Sequence, residues 1–251
     1  MNRFYLLSFC LLVVLSACAT ENRNGASSLN EADYHYLMGS SYLEEGKVTL
    51  ALQEFLLAEK LDDKRTDIYA GLARAYMLKG AFELAEKNYL KAFELSGGEP
   101  KYQNNLGALY LSMERYQEAA EAFRKAAENL LFSNPEIAWT GLGVAHFQMD
   151  NYANAEQYYQ QAIKENAAYL QPYYRLGMLY FVQNRPVEAA EAFRKVVNLA
   201  PGFVDGHYRL GLAEIQARNS DRAREAFAEV VRLAPESEQA RLATGYLNIL
   251  K

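Results

Sequence analysis

From about residue 30 onward, apolar residues recur three and four positions apart in stretches broken by short polar turns, the spacing of amphipathic helices. Above that helical period lies a longer one. A small residue recurs at Gly39, Ala73, Gly107, Gly143, Gly177 and Gly211, with spacings of 34, 34, 36, 34 and 34. An alanine keeps the same register at Ala51, Ala85, Ala119, Ala155, Ala189 and Ala223, and an aromatic does so at Phe55, Tyr89, Phe123, Tyr159, Phe193 and Phe227. Three residue classes sharing one period, and the same two-residue slip, predict a chain of repeated units. The pattern predicts first helices near 32–45, 66–79, 100–113, 136–149, 170–183 and 204–217, with partners beginning near 48, 82, 116, 152, 186 and 220. A thirteenth helix is expected over 236–251.

The residue classes suit a helical hairpin. Two helices approach at the short end of the usual 8 to 10 Å range only where their contact residues are small. Gly143 against Ala155 is the expected contact of the fourth unit, with Tyr159 covering the crossing and filling the gap to the next unit. Most units also carry a tyrosine near the end of the first helix, at Tyr42, Tyr76, Tyr110 and Tyr180. Trp139, Leu142-Gly143, Ala155 and Tyr159 together resemble the tetratricopeptide repeat, with His146 in place of the tyrosine and Pro201 and Pro235 closing the last two units. The resemblance implies an all-α fold, a right-handed superhelical solenoid of six tetratricopeptide hairpins plus a C-terminal capping helix. The units are 32–65, 66–99, 100–135, 136–169, 170–203 and 204–235. The cap, 236–251, carries arginines, glutamates and an asparagine suited to the polar face that ends a solenoid. All six prolines fall at helix starts or junctions, where the missing N–H costs least.

The start of the chain differs in composition. Met1-Asn2-Arg3 supplies a positive charge, and residues 4–15 (FYLLSFCLLVVL) form an apolar run too short to span a bilayer but right for a secretory signal. Leu15-Ser16-Ala17-Cys18 then resembles the lipobox of bacterial lipoproteins. That implies a signal peptide over 1–17, lipidation of Cys18 and a flexible tether over 18–31. An ordinary signal cleaved near Ala17 or Ala19, with Cys18 incidental, is the alternative. In the lipoprotein family the cysteine carries a diacylglyceryl group and an amino-terminal acyl chain, enough for firm membrane anchoring. Family sorting implies outer-membrane placement facing the periplasm, since Ala19 rather than aspartate follows the cysteine.

A net charge of −5, with 26 basic and 31 acidic residues interspersed, excludes the basic stripe that a nucleic-acid surface needs. Cys10 and Cys18 are the only cysteines, so the body of the chain has no disulfide or thiolate metal site. His35, His146 and His207 sit in three different units and are expected to serve packing. No nucleophile elbow, phosphate loop or dinucleotide turn occurs. The expectation is therefore a scaffold without catalytic residues, metal or cofactor beyond the covalent lipid, and without a small-molecule substrate.

In such a superhelix the first helices line a concave groove. Projection places Val144 and Phe147 of unit four, Tyr174, Met178 and Phe181 of unit five, and Tyr208, Leu212 and Ile215 of unit six on that face. Tyr36, Ser40, Arg74, Met77 and Leu111 come from earlier units. An apolar face of this kind marks a protein partner. The lysine and asparagine clamp of chaperone-associated tetratricopeptide domains is absent apart from Asn104. Six units, a lipobox and the lengthened junction AENLLFSNPEIA, with Phe132 and Pro135, resemble the type IV pilus pilotin lipoproteins, the PilF, PilW and Tgl family. That resemblance implies a secretin partner and a role in secretin assembly. The alternatives are lipoprotein scaffolds for polysaccharide export, outer-membrane protein insertion or regulation of peptidoglycan enzymes.

Overall fold

The computed structural model describes residues 30–250. The signal over 1–17, Cys18 and the tether up to residue 29 lie outside the described residues. Thirteen helices follow in order among those described. They are α1 (Glu31–Glu44), α2 (Val48–Leu61), α3 (Thr66–Leu78), α4 (Phe82–Leu95), α5 (Pro100–Ser112), α6 (Tyr116–Ala127), α7 (Pro135–Gln148), α8 (Tyr152–Glu165), α9 (Leu170–Val182), α10 (Pro186–Leu199), α11 (Val204–Gln216), α12 (Ser220–Leu233) and α13 (Glu238–Ile249). Each odd helix pairs with the even helix after it, and each even helix packs on the odd helix of the next unit. The predicted limits hold to within one or two residues. The last helix is shorter than 236–251, because Ser237 caps α13 by accepting the Ala240 N–H. At the other end Asn30 caps α1 in a reciprocal box with Asp33, so the first helix starts at Glu31 rather than 32. The helices between them have no side-chain cap at their N-termini and rely on turn geometry instead.

Every hairpin turns in the same way. One residue just past the first helix adopts left-handed backbone: Gly46, Gly80, Glu114, Asp150, Asn184 and Arg218. The N–H of the following residue then reaches back, Lys47 to the carbonyl of Tyr42 at 2.8 Å and Asn219 to that of Glu214 at 2.8 Å. This is the Schellman closure, which satisfies carbonyls left over at the helix end. Glycine takes that backbone at no steric cost in the first two units, whereas Glu114 at φ 58° and Arg218 at φ 61° bear it for the sake of the turn.

The core is a file of aromatic rings, and the small residues exist for those rings. A methyl group placed on Gly143 would come within 2.5 Å of the Tyr159 ring, so the tight contact is glycine on aromatic rather than Gly143 on Ala155. The same ring can be gripped from both sides. Phe55 lies against Gly39 of its own unit and Gly71 of the next, and Phe123 lies against Gly107 and Gly141 in the same fashion. Each aromatic thus joins its own hairpin to its neighbour, and the repeating alanines beside it are fully buried. The period seen in the sequence is the period of these joints.

The tyrosines near the ends of the first helices make a second joint. Tyr110 donates to the Glu86 carboxylate of the preceding unit at 2.7 Å, and the Arg115 guanidinium lies 4.5 Å over its ring while donating to the same carboxylate at 2.7 Å. Tyr180 repeats this with Glu156 at 2.8 Å and Arg185 at 2.9 Å. The matching place of unit six holds Glu214, a buried carboxylate that pairs with Arg194 and accepts from Asn219 at 2.8 Å. Burial, and then the hydrogen bond to a carboxylate, push the Tyr110 and Tyr180 hydroxyls from 10.0 up to about 12. The folded chain keeps these two protons where the unfolded chain has lost them. Stability is therefore full below pH 10 and falls as pH rises from there to about 12. Urea midpoints at neutral and alkaline pH check this: the parent is expected to lose more stability than the Tyr110→Phe, Tyr180→Phe double variant, and equal losses would contradict it.

Candidate partner-binding groove

The odd helices form the concave wall because even helices cover their other side. Along each odd helix the residues that face inward fall one turn apart, so successive units add steps to one band. Val144 and Phe147 on α7, and Tyr174, Met178 and Phe181 on α9, pack against a core cluster spanning units four to six. Tyr208, Leu212 and Ile215 on α11 pack against a second cluster shared with α12 and α13. All eight are half-buried and recur at matching register positions of successive odd helices. They also help hold the units together.

Tyr174 shows the second role most clearly. Its ring sits 5.9 Å from Phe193 and 5.8 Å from Phe203, and its hydroxyl donates to Asp205 at 2.7 Å. Asp205 also accepts from Arg209 at 2.7 Å and from Gln239 of α13 at 3.0 Å, so one carboxylate ties α9, α11 and α13. Burial first, and then the bond to Asp205, raise the Tyr174 hydroxyl above the ordinary tyrosine range. Tyr208 likewise rests on Phe227 at 5.9 Å, with Tyr246 stacked on the same ring at 4.8 Å. Met178 and Leu212 have no polar anchor and present side chains to the groove between these tyrosines.

The band runs further than the sequence pattern suggests. Leu242, Tyr246 and Ile249 of α13 occupy the places that Tyr208, Leu212 and Ile215 hold one unit earlier, and Ile249 is 79% exposed. The cap is therefore two-sided. Arg241, Thr244 and Asn248 are exposed on the side where an even helix would otherwise pack, while the apolar stripe extends the groove to a seventh step. Hydrophobic spacing in this last helix was the available signal, overshadowed by its charged residues.

The amino-terminal half of the groove is different in character. Tyr36, Ser40, Gly71, Arg74, Lys101 and Asn105 line a depression of about 430 Å³ in which polar and charged groups predominate. Met77 and Leu111, at the repeat position that Phe147, Phe181 and Ile215 hold in later units, are half-buried and pack against clusters of units two to four. The Asn104 side-chain oxygen and the Tyr102 hydroxyl are buried without a hydrogen-bond partner. The three histidines stay apart: His35 meets Glu54 at 2.6 Å, His207 meets the Pro201 carbonyl at 2.9 Å, and His146 lies 5.1 Å from the Tyr158 ring. Burial, then the nearby Arg124 charge, lower the His146 pKa. No group of three or more metal-ligating residues occurs among the described residues.

The tetratricopeptide repeat pattern matches residues 104–170, 140–202 and 208–250, and a second pattern of the same description matches 66–98. The chain belongs to the tetratricopeptide repeat family. Within it, the chain is 25% identical over 165 residues to the type IV pilus assembly protein PilF of Pseudomonas aeruginosa. That alignment covers 64% of this tetratricopeptide chain and 66% of PilF, just under two thirds of the relative's length. Among solved structures, the type IV pilus biogenesis factor PilW superposes with a TM-score of 0.75 at 18% identity, over 86% of this chain and 99% of PilW. Pseudomonas aeruginosa PilF superposes with a TM-score of 0.69 at 20% identity, over 86% and 97% of the two chains. At these identities the structural likeness concerns the tetratricopeptide fold.

Proposed function

We propose that this chain is a lipoprotein of the outer membrane, anchored through Cys18 and facing the periplasm, whose groove holds an apolar or amphipathic segment of a secretin and so assists type IV pilus assembly. The observation that carries the binding mode is the continuous apolar band from Val144 to Ile249, too long to be the closure of one hairpin joint. Similarity to PilF supports the choice of a pilus partner. The absence among the described residues of any helix able to cross a membrane leaves the anchoring in this reading to the lipid on Cys18.

Met178 and Leu212 are the residues to test, because Tyr174 and Tyr208 also bind the units together and their loss would disturb the fold. Fully burying a Met or Leu side chain contributes about 1.5 to 3 kcal/mol. The Met178→Ala, Leu212→Ala pair should therefore weaken secretin binding at least tenfold, since about 1.4 kcal/mol is one decade. A binding titration with purified secretin, alongside circular dichroism, decides it. Normal helicity with unchanged affinity would sink the groove as the binding face.

A further inference from the structure

The two edges of this solenoid differ in chemistry. Turns within hairpins lie on one edge, and each carries a charged residue: Lys47, Lys79, Arg115, Asp150, Arg185 and Arg218. Turns between units lie on the other edge; the first two and the last, with Asp62, Asp63, Lys64, Arg65, Glu99 and Glu236, are charged, but the three in the middle are not. Residues 129–134, 166–169 and 200–203 contain no aspartate, glutamate, lysine or arginine. The first of these, the lengthened junction between α6 and α7, also projects two leucines into solvent. Leu130 is 101% and Leu131 is 85% exposed, although Phe132 beside them packs into the core of units three and four. The junction is held in this form by the Leu131 N–H donating to the Asn129 side chain at 2.9 Å and the Phe132 N–H donating to the Asn129 carbonyl at 3.0 Å. Two adjacent leucines held wholly in water are disfavoured unless something apolar receives them.

The topology says what lies on that side. Odd helices all start at the edge of the inter-unit turns, and α1 starts there too, at Glu31. The chain from Ala19 to Asn30 therefore leaves the solenoid on the same edge as Leu130 and Leu131. Twelve residues reach at most about 40 Å when fully extended. A lipid on Cys18 would hold the edge that bears Leu130 and Leu131 close to the bilayer rather than the edge of the hairpin turns.

We propose that the edge of inter-unit turns rests on the membrane, with Leu130 and Leu131 inserted into the interfacial layer as a second contact beside the lipid anchor. The inference rests on the reading that Cys18 is lipidated. The contact sets the orientation of the solenoid, placing the hairpin turns away from the bilayer and leaving both ends of the groove open along the membrane plane. The lipid holds the chain at the bilayer, and the leucine pair adds a second contact that would stop it swinging on its tether.

The sequence makes the test clean, because Cys10 lies in the signal segment and Cys18 would be blocked by its lipid. Lipidated full-length Leu131→Cys and Ser112→Cys, the second on the opposite edge, are labelled with bimane and reconstituted into phosphatidylethanolamine and phosphatidylglycerol vesicles containing doxyl-labelled lipid. Quenching at position 131 is expected to be several times stronger than at 112. Equal quenching at both, or none at 131 while the protein floats with the vesicles, overturns the proposal. A label at 131 that is silent on vesicles but shifts on adding detergent-extracted outer-membrane proteins assigns the leucines to a protein contact and equally overturns it. Failure of the parent to float would remove the lipid anchor and this inference with it, a result distinct from flotation with a silent probe.

Discussion

Phe123→Ala is expected to destabilise the solenoid by about 3 to 5 kcal/mol, the cost of removing a large ring from a site that cannot collapse around the hole. The ring lies between Gly107 and Gly141, neither of which has a side chain to move in, and it is 3% exposed. It also bridges units three and four, so its loss weakens a joint between neighbours as well as one hairpin. In a solenoid each unit is supported only by those beside it, and a weakened internal joint lets the two halves unfold separately. A urea titration should show a lowered first transition and a broadened or divided curve. Phe123→Leu keeps most of the apolar volume and should recover much of the loss. A midpoint shift no larger for Phe123→Ala than for an exposed substitution such as Glu121→Ala would contradict the role given to this ring.

Cys18→Ser is expected to abolish lipid attachment and move the protein from the membrane to the soluble fraction. Each buried methylene of an acyl chain contributes about 0.8 kcal/mol of membrane binding, so removing all the chains takes away most of the attraction to the bilayer. The leucine pair at 130 and 131 is too small to replace it. Labelling of cells with radioactive fatty acid, followed by fractionation, measures both effects. Label in Cys18→Ser equal to that in the parent would show that the anchor lies elsewhere. Because residues 1–29 are outside the described structure, this result bears on the lipobox resemblance alone and leaves the groove to its own test.

Most of the fold was legible because its contacts are local. A unit of 34 residues closes its own hairpin and meets only the next one, so a small residue, an alanine and an aromatic at fixed offsets suffice to place twelve of the helices to within two residues. The lengthened junction between units three and four was visible in the same way. The same periodicity sets the groove residues on one face of each helix, since one helical turn separates Tyr174 from Met178 and Tyr208 from Leu212.

What the sequence could not decide was which residues of that face are free. Exposure depends on side chains from other units, whose approach is set by the stacking of hairpins rather than by the period within one. Asp205 gathers Tyr174, Arg209 and Gln239 from three helices, and nothing in their spacing announces that meeting. The same applies to Gly141, whose partner ring lies in the preceding unit, and to Leu242, Tyr246 and Ile249, which read as part of a polar cap until the helix is seen to continue the wall of the groove. The left-handed turns at Glu114 and Arg218 were hidden for a related reason: closure of the hairpin imposes that backbone on whatever residue stands there. By itself, then, the sequence determined the repeat, its register and its helices, because those follow from contacts inside one hairpin. Tertiary structure alone decided which apolar residues remain available to a partner, because availability is settled by what the neighbouring hairpins bury.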